Sequence, residues 1–395
     1  MSRRAPSIAL LIAASVAVGA SDARAATPRW NRRIDRIVAG HPMSVVVGDG
    51  GHVWFRHGAT VARAPASNEK LLLSMALFDQ LGVRRTFSVR AVAADVDADG
   101  AIAGNLYLRG DGDPEVTGAR LDALAQRLWQ AGVRTIDGHV VGVTGPFHRD
   151  WFAPGWKSYF PRDYVALPTA LTFRGNTSGG RHISDPERRA AVYLTHRLRD
   201  RGVVIGSQGT AGTGGSALPT IASISSKPLR TIVLHMDHRS INFSAEVLGK
   251  ALAYTSGTDG SIANGAKRIC AFEAAHGVSA TCYDSSGLSY RNRQTAIGIV
   301  RLLWFADRQP WLGALRTALP RANEGTLRHR LGGVRIRAKT GTLIDVSALS
   351  GWVWSDAADG WVAFSILSSG MNAYAAKDLE DKVVGVLANR ANGPS

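Results

Sequence analysis

The sequence predicts a mixed α/β protein in which one α/β domain is inserted into another. Two β-rich runs, Met43–Gly48 and His52–His57, flank Asp-Gly-Gly and predict a hairpin near the start of the chain. A second hairpin between Val346 and Ser368, followed by a helix over Ala375–Asn389, predicts an antiparallel sheet flanked by helices. Between these ends, residues 88–221 alternate short strands and helices, which favours a separate inserted α/β domain.

The first 25 residues have the pattern of an export signal. Arg3 and Arg4 precede an apolar run over 5–20, and Ala23-Arg24-Ala25 provides a small-residue cleavage site. The run is too short for a good membrane span, and no later stretch is apolar enough to cross a bilayer. We therefore expect cleavage near Ala25 and a mature protein in the periplasm, with no lipid anchor because no cysteine lies near the cut.

The helix that follows the first hairpin begins with a serine and a lysine three residues apart. Apolar residues recur at helical spacing as far as Leu81, and Gly82 ends the pattern. Residues i and i+3 share one face of a helix, so Ser67 and Lys70 should meet in its first turn. A desolvated lysine can take the proton of a serine and make it a nucleophile. Alone, the same pair also fits a helix-capping serine followed by an exposed lysine.

Inside the insert, the patterns predict strands over 88–95, 103–108 and 139–143 and helices over 121–131 and 188–200. Residues 145–185 are rich in aromatic residues, and they either line a cleft or cover a core. The glycine-rich run 209–216 lacks the Gly-Lys-Ser/Thr ending of a phosphate loop, and we interpret it as a flexible turn or linker.

After the insert come two helices, Phe243–Tyr254 and Thr295–Asp307, and a strand beginning at Val334. Cys270 and Cys282 lie between the helices. They are the two cysteines of the chain, and we favour a disulfide over two separate buried thiols because export places them in an oxidising compartment.

Composition and short motifs exclude several other classes. His235, Asp237 and His238 match no zinc-ligand spacing, so we predict no metal and no cofactor. The net charge of +16 comes from scattered arginines without a basic run, so we predict no nucleic-acid binding. An exported basic protein more plausibly contacts an anionic envelope polymer.

Three short motifs occur once each and in a fixed order: Ser67-x-x-Lys70, Ser240-x-Asn242 and Lys339-Thr340-Gly341. The first opens a helix, the second lies on a loop before a helix, and the third ends a strand. This ordered combination is typical of penicillin-binding proteins and class A β-lactamases.

With these motifs, the chain resembles the class C low-molecular-mass penicillin-binding proteins, a family of D-Ala-D-Ala carboxypeptidases and endopeptidases. The likeness covers about residues 40 to 390 and includes further blocks at 104–110, 112–114, 153–156, 286–289, 325–327 and 339–343. It implies a penicillin-binding, serine β-lactamase-like transpeptidase domain formed by residues 26–87 and 222–395. The insert at 88–221 distinguishes this family from β-lactamases.

The resemblance implies the chemistry of the site. Ser67 would attack the carbonyl between two D-alanines of a peptidoglycan stem peptide, and β-lactams would acylate the same hydroxyl. Lys70 would be the general base, Ser240 would relay a proton to the leaving amine, and Asn242 would bind the peptide backbone. Lys339 would add a positive charge that favours neutral Lys70.

The strand motif would bind the substrate. Thr340 and Thr342 would offer hydroxyls to the terminal carboxylate, and Gly341 would allow close approach to the strand edge. The backbone N–H groups of Ser67 and Thr342 would form the oxyanion hole.

The chain departs from the family at three places. Ile241 stands where relatives often have Asp, and Tyr290 stands where many have Arg. An Asp that relatives place shortly before Phe147 is absent, with Val143 or Thr144 in its place, so the stem-peptide side-chain preference stays open. The insert is also short, and we expect one of its two usual subdomains to be reduced or absent.

Three other functions are less consistent with the motifs. A β-lactamase or esterase on the same scaffold would use the same nucleophile but needs a separate deacylating Glu, which no motif locates. A non-catalytic envelope-binding protein has no need of Ser67, Lys70 and Lys339 together. A Ser-His-Asp hydrolase is disfavoured because no Gly-x-Ser-x-Gly elbow is present. The sequence does not separate carboxypeptidase from endopeptidase action.

Overall fold

The structure is a computed structural model that describes residues 30–388. The predicted export signal over residues 1–25 lies outside these residues. Among the described residues, no helix is both long and apolar enough to cross a membrane.

The main sheet has five antiparallel strands and is built from the two ends of the chain. The predicted N-terminal and C-terminal hairpins lie side by side, because Met43–Asp49 pairs with Gly360–Ser369. The strand that carries the third motif forms one free edge of this sheet. In spatial order the strands are Ile336–Leu343, Val346–Ser355, Gly360–Ser369, Met43–Asp49 and His52–His57.

Helices cover both faces of the main sheet, which confirms the predicted mixed α/β class. Helices Asn31–Val38 and Ala373–Ala388 pack their buried residues against one face. The opposite face supports the main core, in which Glu69–Leu81 is the central helix. The first ten residues of that helix are buried, so its N-terminal part is enclosed on every side. The other helices of this layer are Leu229–Arg239, Asn242–Thr255, Ile262–Ala275, Ala296–Ala306 and Leu312–Ala318.

The insert has a five-stranded mixed sheet packed against helices Gly118–Gln130 and Pro186–Arg199. Its strands, in spatial order, are Thr210–Gly212, Val140–Val143, Leu106–Gly110, Ser88–Val92 and Thr220–Ser225. A smaller sheet contributes Ile102, Ile136 and Ile205 to the same core, and its strands are Val204–Ile205, Thr135–Ile136 and Ala101–Ile102. The minor elements are the helix Phe160–Asp163, the hairpin Thr177–Ser178 with Arg181–His182, and 3₁₀ turns at Ala66–Asn68, Arg174–Asn176 and Gly325–Leu327.

Two details of the insert differ from the sequence analysis. The run 209–216 is not only a turn, because Thr210–Gly212 pairs in parallel with Val140–Val143. The sequence did not predict this strand, because a run of three residues that ends in glycine is too short to show the alternation of a strand. The strand Thr220–Ser225 pairs with Ser88–Val92, so the sheet extends beyond residue 221, and we propose that the insert ends at Ser225.

Four helices of seven residues or more were not foreseen, namely Asn31–Val38, Leu229–Arg239, Ile262–Ala275 and Leu312–Ala318. The aromatic stretch 145–185 both covers a core and lines a cleft. Phe147 is buried in the main core, whereas Tyr164 is half exposed at the edge of the site described below.

A disulfide joins Cys270 to Cys282, with an S–S distance of 2.09 Å. It connects helix Ile262–Ala275 to the segment that leads into the 286–289 block. The disulfide therefore lies next to a loop that forms part of the site.

Candidate active site

Ser67 lies in a single 3₁₀ turn, Ala66–Asn68, that leads into helix Glu69–Leu81. Two glycines allow the surrounding chain to close on this turn. A Cβ on Gly287 would collide with the Ala66 carbonyl, and a Cβ on Gly341 would lie 2.7 Å from the Pro65 carbonyl oxygen and 3.0 Å from the Ser67 nitrogen. Gly341 is thus required for the strand edge to pack against the turn that carries Ser67. This role is additional to the predicted one, in which Gly341 allows the substrate to approach the strand edge closely.

Lys70 is fully buried and its Nζ has three oxygen neighbours. They are the Ser67 hydroxyl at 3.0 Å, the Asn242 Oδ1 at 2.7 Å and the Ser286 carbonyl at 2.6 Å. The amide and carbonyl oxygens can only accept hydrogen bonds. A neutral amine would give its two N–H groups to them, which leaves its lone pair facing the Ser67 hydroxyl. The geometry therefore suits proton transfer from Ser67 to Lys70.

Burial and, to a smaller extent, the positive charge of Lys339 together lower the pKa of Lys70 to about 7. Asp284, Glu246 and Asp237 oppose this change. A substantial fraction of Lys70 is therefore neutral at neutral pH and able to accept a proton.

Ser240 and Lys339 form a second serine–lysine pair, and Ser240 lines the same two pockets as Ser67. Ser240 ends helix Leu229–Arg239 in a left-handed conformation, with φ 56° and ψ 48°, which is uncommon for serine. Lys339 Nζ, fully buried, donates to the Ser240 hydroxyl at 3.0 Å and to the Thr340 carbonyl at 2.9 Å. Asn242 begins the next helix, and its Nδ2 donates to the Tyr164 carbonyl at 3.1 Å. The corner between two helices thus presents both functional residues of the second motif, while Ile241 packs against the main core.

Asp237 is a buried counter-charge that the sequence analysis did not assign to the site. Its Oδ2 accepts a hydrogen bond from Ser74 at 2.7 Å. Burial raises the pKa of Asp237 to about 7, which Lys339 and Lys70 oppose. Burial lowers the pKa of Lys339 to about 8, and Asp237 acts to raise it. The two lysines therefore share one buried carboxylate.

The loop that supplies the Ser286 carbonyl is held by two buried acids. Asp284 accepts hydrogen bonds from the Gly287 and Ser289 N–H groups and from Asn292 Nδ2 and Trp156 Nε1, at 2.9, 2.7, 2.7 and 2.6 Å. Glu246 accepts from the N–H groups of Ser285 and Ser286. Burial raises the pKa of Glu246 to about 8. These contacts fix the carbonyl that orients Lys70.

Two pockets meet at Ser67 and share Ser240, Thr342, Tyr374 and Lys377. The first, the aromatic pocket, has a volume of about 470 Å³ and is walled by Tyr159, Phe160, Tyr164, Leu288 and Tyr290. The second, the charged pocket, has a volume of about 650 Å³ and contains Thr326, Arg328, Arg330, Thr340, Asp378 and Asp381.

The third motif lines the floor between the pockets. Thr342 is exposed at the strand edge, whereas the Thr340 hydroxyl donates to Thr326 at 2.7 Å. Gly325, with φ +49°, packs so closely on His238 that a Cβ would strike its carbonyl. The block 325–327 thereby places Thr326 against the motif.

The structure brings together the predicted residues of the three motifs and the threonine that follows the third, namely Ser67, Lys70, Ser240, Asn242, Lys339, Thr340, Gly341 and Thr342. Asp237, Glu246, Asp284 and Lys377 were not assigned to the site from sequence. A buried acid on an apolar helix gives no pattern that distinguishes it from an exposed one, so only the position of Asp237 three residues before Ser240 could have suggested a role.

The residues considered for a metal have separate partners. His235 pairs with Glu115, Asp237 accepts from Ser74, and His238 lies 3.7 Å from Glu324. Among residues 30–388, the ligand atoms that lie close enough to hold a metal belong to Cys270, Glu273 and Cys282, and the disulfide occupies both sulfurs.

A lysine-activated serine, faced by a second serine and lysine on a sheet edge, is the arrangement of the penicillin-binding class, and the fold and the site together place the chain in that class. Within it, the chain belongs to the D-Ala-D-Ala carboxypeptidase 3 (S13) family, whose model matches residues 39–182 and 171–390. This confirms the family expected from the motifs.

Individual relatives agree with this assignment. The chain is 26% identical over 422 residues to the D-alanyl-D-alanine carboxypeptidase of Actinomadura sp. strain R39, covering 83% of this chain and 77% of that protein. Its fold is similar to that of penicillin-binding protein 4 from Haemophilus influenzae, with a TM-score of 0.77, 18% identity and coverage of 91% and 99%. It is also similar to the penicillin G-acylated endopeptidase Bd3459 of Bdellovibrio bacteriovorus, with a TM-score of 0.51, 15% identity and coverage of 89% and 92%.

Proposed function

We propose that the chain is a serine-type D-Ala-D-Ala carboxypeptidase and endopeptidase of peptidoglycan stem peptides, with Ser67 as the nucleophile. The observation that carries this proposal is the 3.0 Å contact between the Ser67 hydroxyl and a buried Lys70 that has only acceptor oxygens as its other neighbours. Membership of the D-Ala-D-Ala carboxypeptidase 3 (S13) family supports the proposal.

In the first step, neutral Lys70 takes the Ser67 proton while the serine oxygen attacks the carbonyl between the two D-alanines. The backbone N–H groups of Ser67 and Thr342 stabilise the resulting oxyanion, and such donors contribute about 10²–10³ each in rate. The Ser240 hydroxyl, in contact with Lys339, relays the proton held by Lys70 to the leaving amine, and the peptide bond breaks to give an acyl-enzyme and a neutral Lys70. Water then hydrolyses the ester: Lys70 takes a proton from the attacking water and returns it to the Ser67 oxygen as the ester bond breaks.

The lining of the pockets argues against fast deacylation of a β-lactam. Of the described residues around the two pockets, the carboxylates are Asp378 and Asp381, and both lie in the charged pocket. Arg330 binds Asp381 at 2.7 Å. Glu246 is fully buried and holds backbone N–H groups. Because the described residues that line the aromatic pocket include no carboxylate, we infer a long-lived penicilloyl-enzyme rather than β-lactamase turnover.

The experiment that tests the activity uses purified peptidoglycan carrying both pentapeptides and cross-links. Wild-type protein should release free D-alanine and cleave the D-Ala-containing cross-links, and Ser67→Ala should do neither. Release of D-alanine by Ser67→Ala at the wild-type rate would overturn the assignment of the nucleophile. The ratio of the two products measures the balance between carboxypeptidase and endopeptidase action.

We also propose that the protein works in the periplasm and contacts anionic envelope polymers through its net charge of +16. Co-sedimentation with purified cell walls should weaken as salt rises from 50 to 500 mM, because salt screens contacts between exposed charges. Binding that does not change with salt would contradict an electrostatic contact.

A further inference from the structure

The proposed roles of the motif residues indicate which part of the substrate each pocket binds. Asn242, the proposed ligand of the stem-peptide backbone, lines only the aromatic pocket. Thr340, the proposed ligand of the terminal carboxylate, lines only the charged pocket. The aromatic pocket therefore receives the acyl donor, including the side chain of the residue that precedes the two D-alanines. The charged pocket receives the leaving group.

The aromatic pocket contains no carboxylate among its described lining residues. The nearby acids do not reach into it: Asp163 is exposed and bound to Arg162, and Asp345 is exposed beyond Ile344. Tyr164, Ile344 and Tyr374 remain 53%, 73% and 78% exposed at its rim. A donor side chain that ends in an ammonium group would thus meet apolar and aromatic walls with no counter-charge.

The one charged side chain of this pocket, within the described part of the chain, is Lys377. It lies on helix Ala373–Ala388, and its ammonium group sits over the Tyr374 ring at 5.3 Å from the ring centre. The acids one turn further along the helix are already paired, because Arg330 binds Glu380 at 2.9 Å and Asp381 at 2.7 Å. Within residues 30–388, Lys377 therefore has no ion pair, and its side chain lines the aromatic pocket as well as the charged pocket.

We propose that Lys377 makes the acyl-donor subsite select substrates whose donor side chain ends in a carboxylate or an uncharged group, and reject those with a free ammonium group. A carboxylate would form a charge-assisted hydrogen bond with Lys377. An ammonium group would be repelled by Lys377, and no carboxylate among the described residues of the aromatic pocket would offset that repulsion. This inference rests on the proposed function, because the aromatic pocket is identified as the acyl-donor subsite from the proposed roles of Asn242 and Thr340.

Three tripeptides that differ only in terminal charge test the proposal. They are Nα-acetyl-L-lysyl-D-alanyl-D-alanine with its ε-amine free, acetylated or succinylated, which present a cation, a neutral amide and a carboxylate. For each, kcat/KM for D-alanine release is measured. The wild type should prefer the succinylated over the free-amine peptide by about tenfold or more. Lys377→Glu should reverse this order, and Lys377→Met should abolish the preference for the succinylated over the acetylated peptide.

Lys382→Glu is the matched control, because Lys382 is exposed on the same helix and lines neither pocket. It should keep the wild-type order. Because the preference is a ratio within each variant, uniform losses of activity cancel. Equal kcat/KM for the three peptides, or no release from any of them by an enzyme that benzylpenicillin still acylates at Ser67, would overturn the donor preference alone. Absence of both acylation and release would instead overturn the proposed function, and the donor preference with it.

Discussion

The Nζ of Lys70 lies 3.0 Å from the hydroxyl of Ser67, and two carbonyl-type oxygens occupy the other directions around that nitrogen. The contact joins residues three apart across the junction between a 3₁₀ turn and a helix. Because Lys70 is fully buried, water does not compete for its lone pair. A nucleophile and its base are thus set by local chain geometry, and the rest of the fold supplies the surroundings.

Replacing Lys70 by Met should remove the base while preserving apolar volume. We expect the second-order rate constant for acylation by benzylpenicillin to fall by about 10²–10⁴-fold, the range typical of general-base catalysis. The rate constant is measured by intact mass against time. Lys267→Met, an exposed lysine on helix Ile262–Ala275, is the control and should acylate normally. Acylation of Lys70→Met within threefold of wild type would exclude Lys70 as the base.

The acylation rate should depend on pH in a bell shape. Lys70 acts in its neutral form, so the rate rises as pH increases through the Lys70 pKa of about 7. Lys339 acts as a cation beside Ser240, so the rate falls above its pKa of about 8. The two limbs belong to a coupled pair of lysines. A rate that climbs steadily to pH 10 would contradict the role of protonated Lys339.

Asp237→Asn should move both limbs of this profile to lower pH. The Asp237 carboxylate acts to raise the pKa of both Lys70 and Lys339, and its neutral amide would not. Asp79→Asn, which changes an exposed carboxylate on helix Glu69–Leu81, serves as the control. A profile that is unchanged in Asp237→Asn would show that the lysines do not sense this charge.

Gly341→Ala should disable the site without removing any chemical group. The new Cβ would lie 2.7 Å from the Pro65 carbonyl oxygen, so the turn that carries Ser67 must shift. A displacement of about 1 Å can cost about 10²-fold in rate, and we expect a loss of this order in acylation. Gly360→Ala on the same sheet is the control, because its nearest neighbour would be 3.7 Å away and acylation should be normal. Equal acylation by both variants would contradict the packing argument.

Removing the disulfide should reduce stability more than activity. The bond closes a loop between residues separated by 12 positions, and the chain-entropy account gives about 3 kcal/mol for loops of this size. We expect the double variant Cys270→Ala/Cys282→Ala to lose about 2–3 kcal/mol in urea unfolding. Unchanged unfolding would mean that the loop is fully held by its packing.

The sequence was sufficient for the parts of the site that depend on short spacings. Ser67 and Lys70 are three residues apart on a helical segment, and the sequence pattern placed Lys339 at the end of a strand. The hairpins and the central helix were also predicted, because their apolar periodicity is strong. Helix Ile262–Ala275 was missed because small, polar and charged residues interrupt its apolar face.

Long-range features could not be predicted in this way. Asp237 became a counter-charge only because helix Leu229–Arg239 packs against the helix that carries Lys70. Lys377 lies more than 300 residues from Ser67 along the chain, and only the fold brings both to one pocket. The strand Thr220–Ser225 joined the insert through pairing with Ser88–Val92, which no local pattern specifies.

The most direct test of the account is the intact mass of the protein after incubation with benzylpenicillin, for the wild type and for Ser67→Ala. We predict a single, long-lived penicilloyl adduct on the wild type and none on Ser67→Ala, whose fold is checked by its thermal unfolding. An adduct of equal amount on folded Ser67→Ala would contradict the assignment of Ser67 as the nucleophile. Rapid consumption of the drug by the wild type without a lasting adduct would instead identify a β-lactamase.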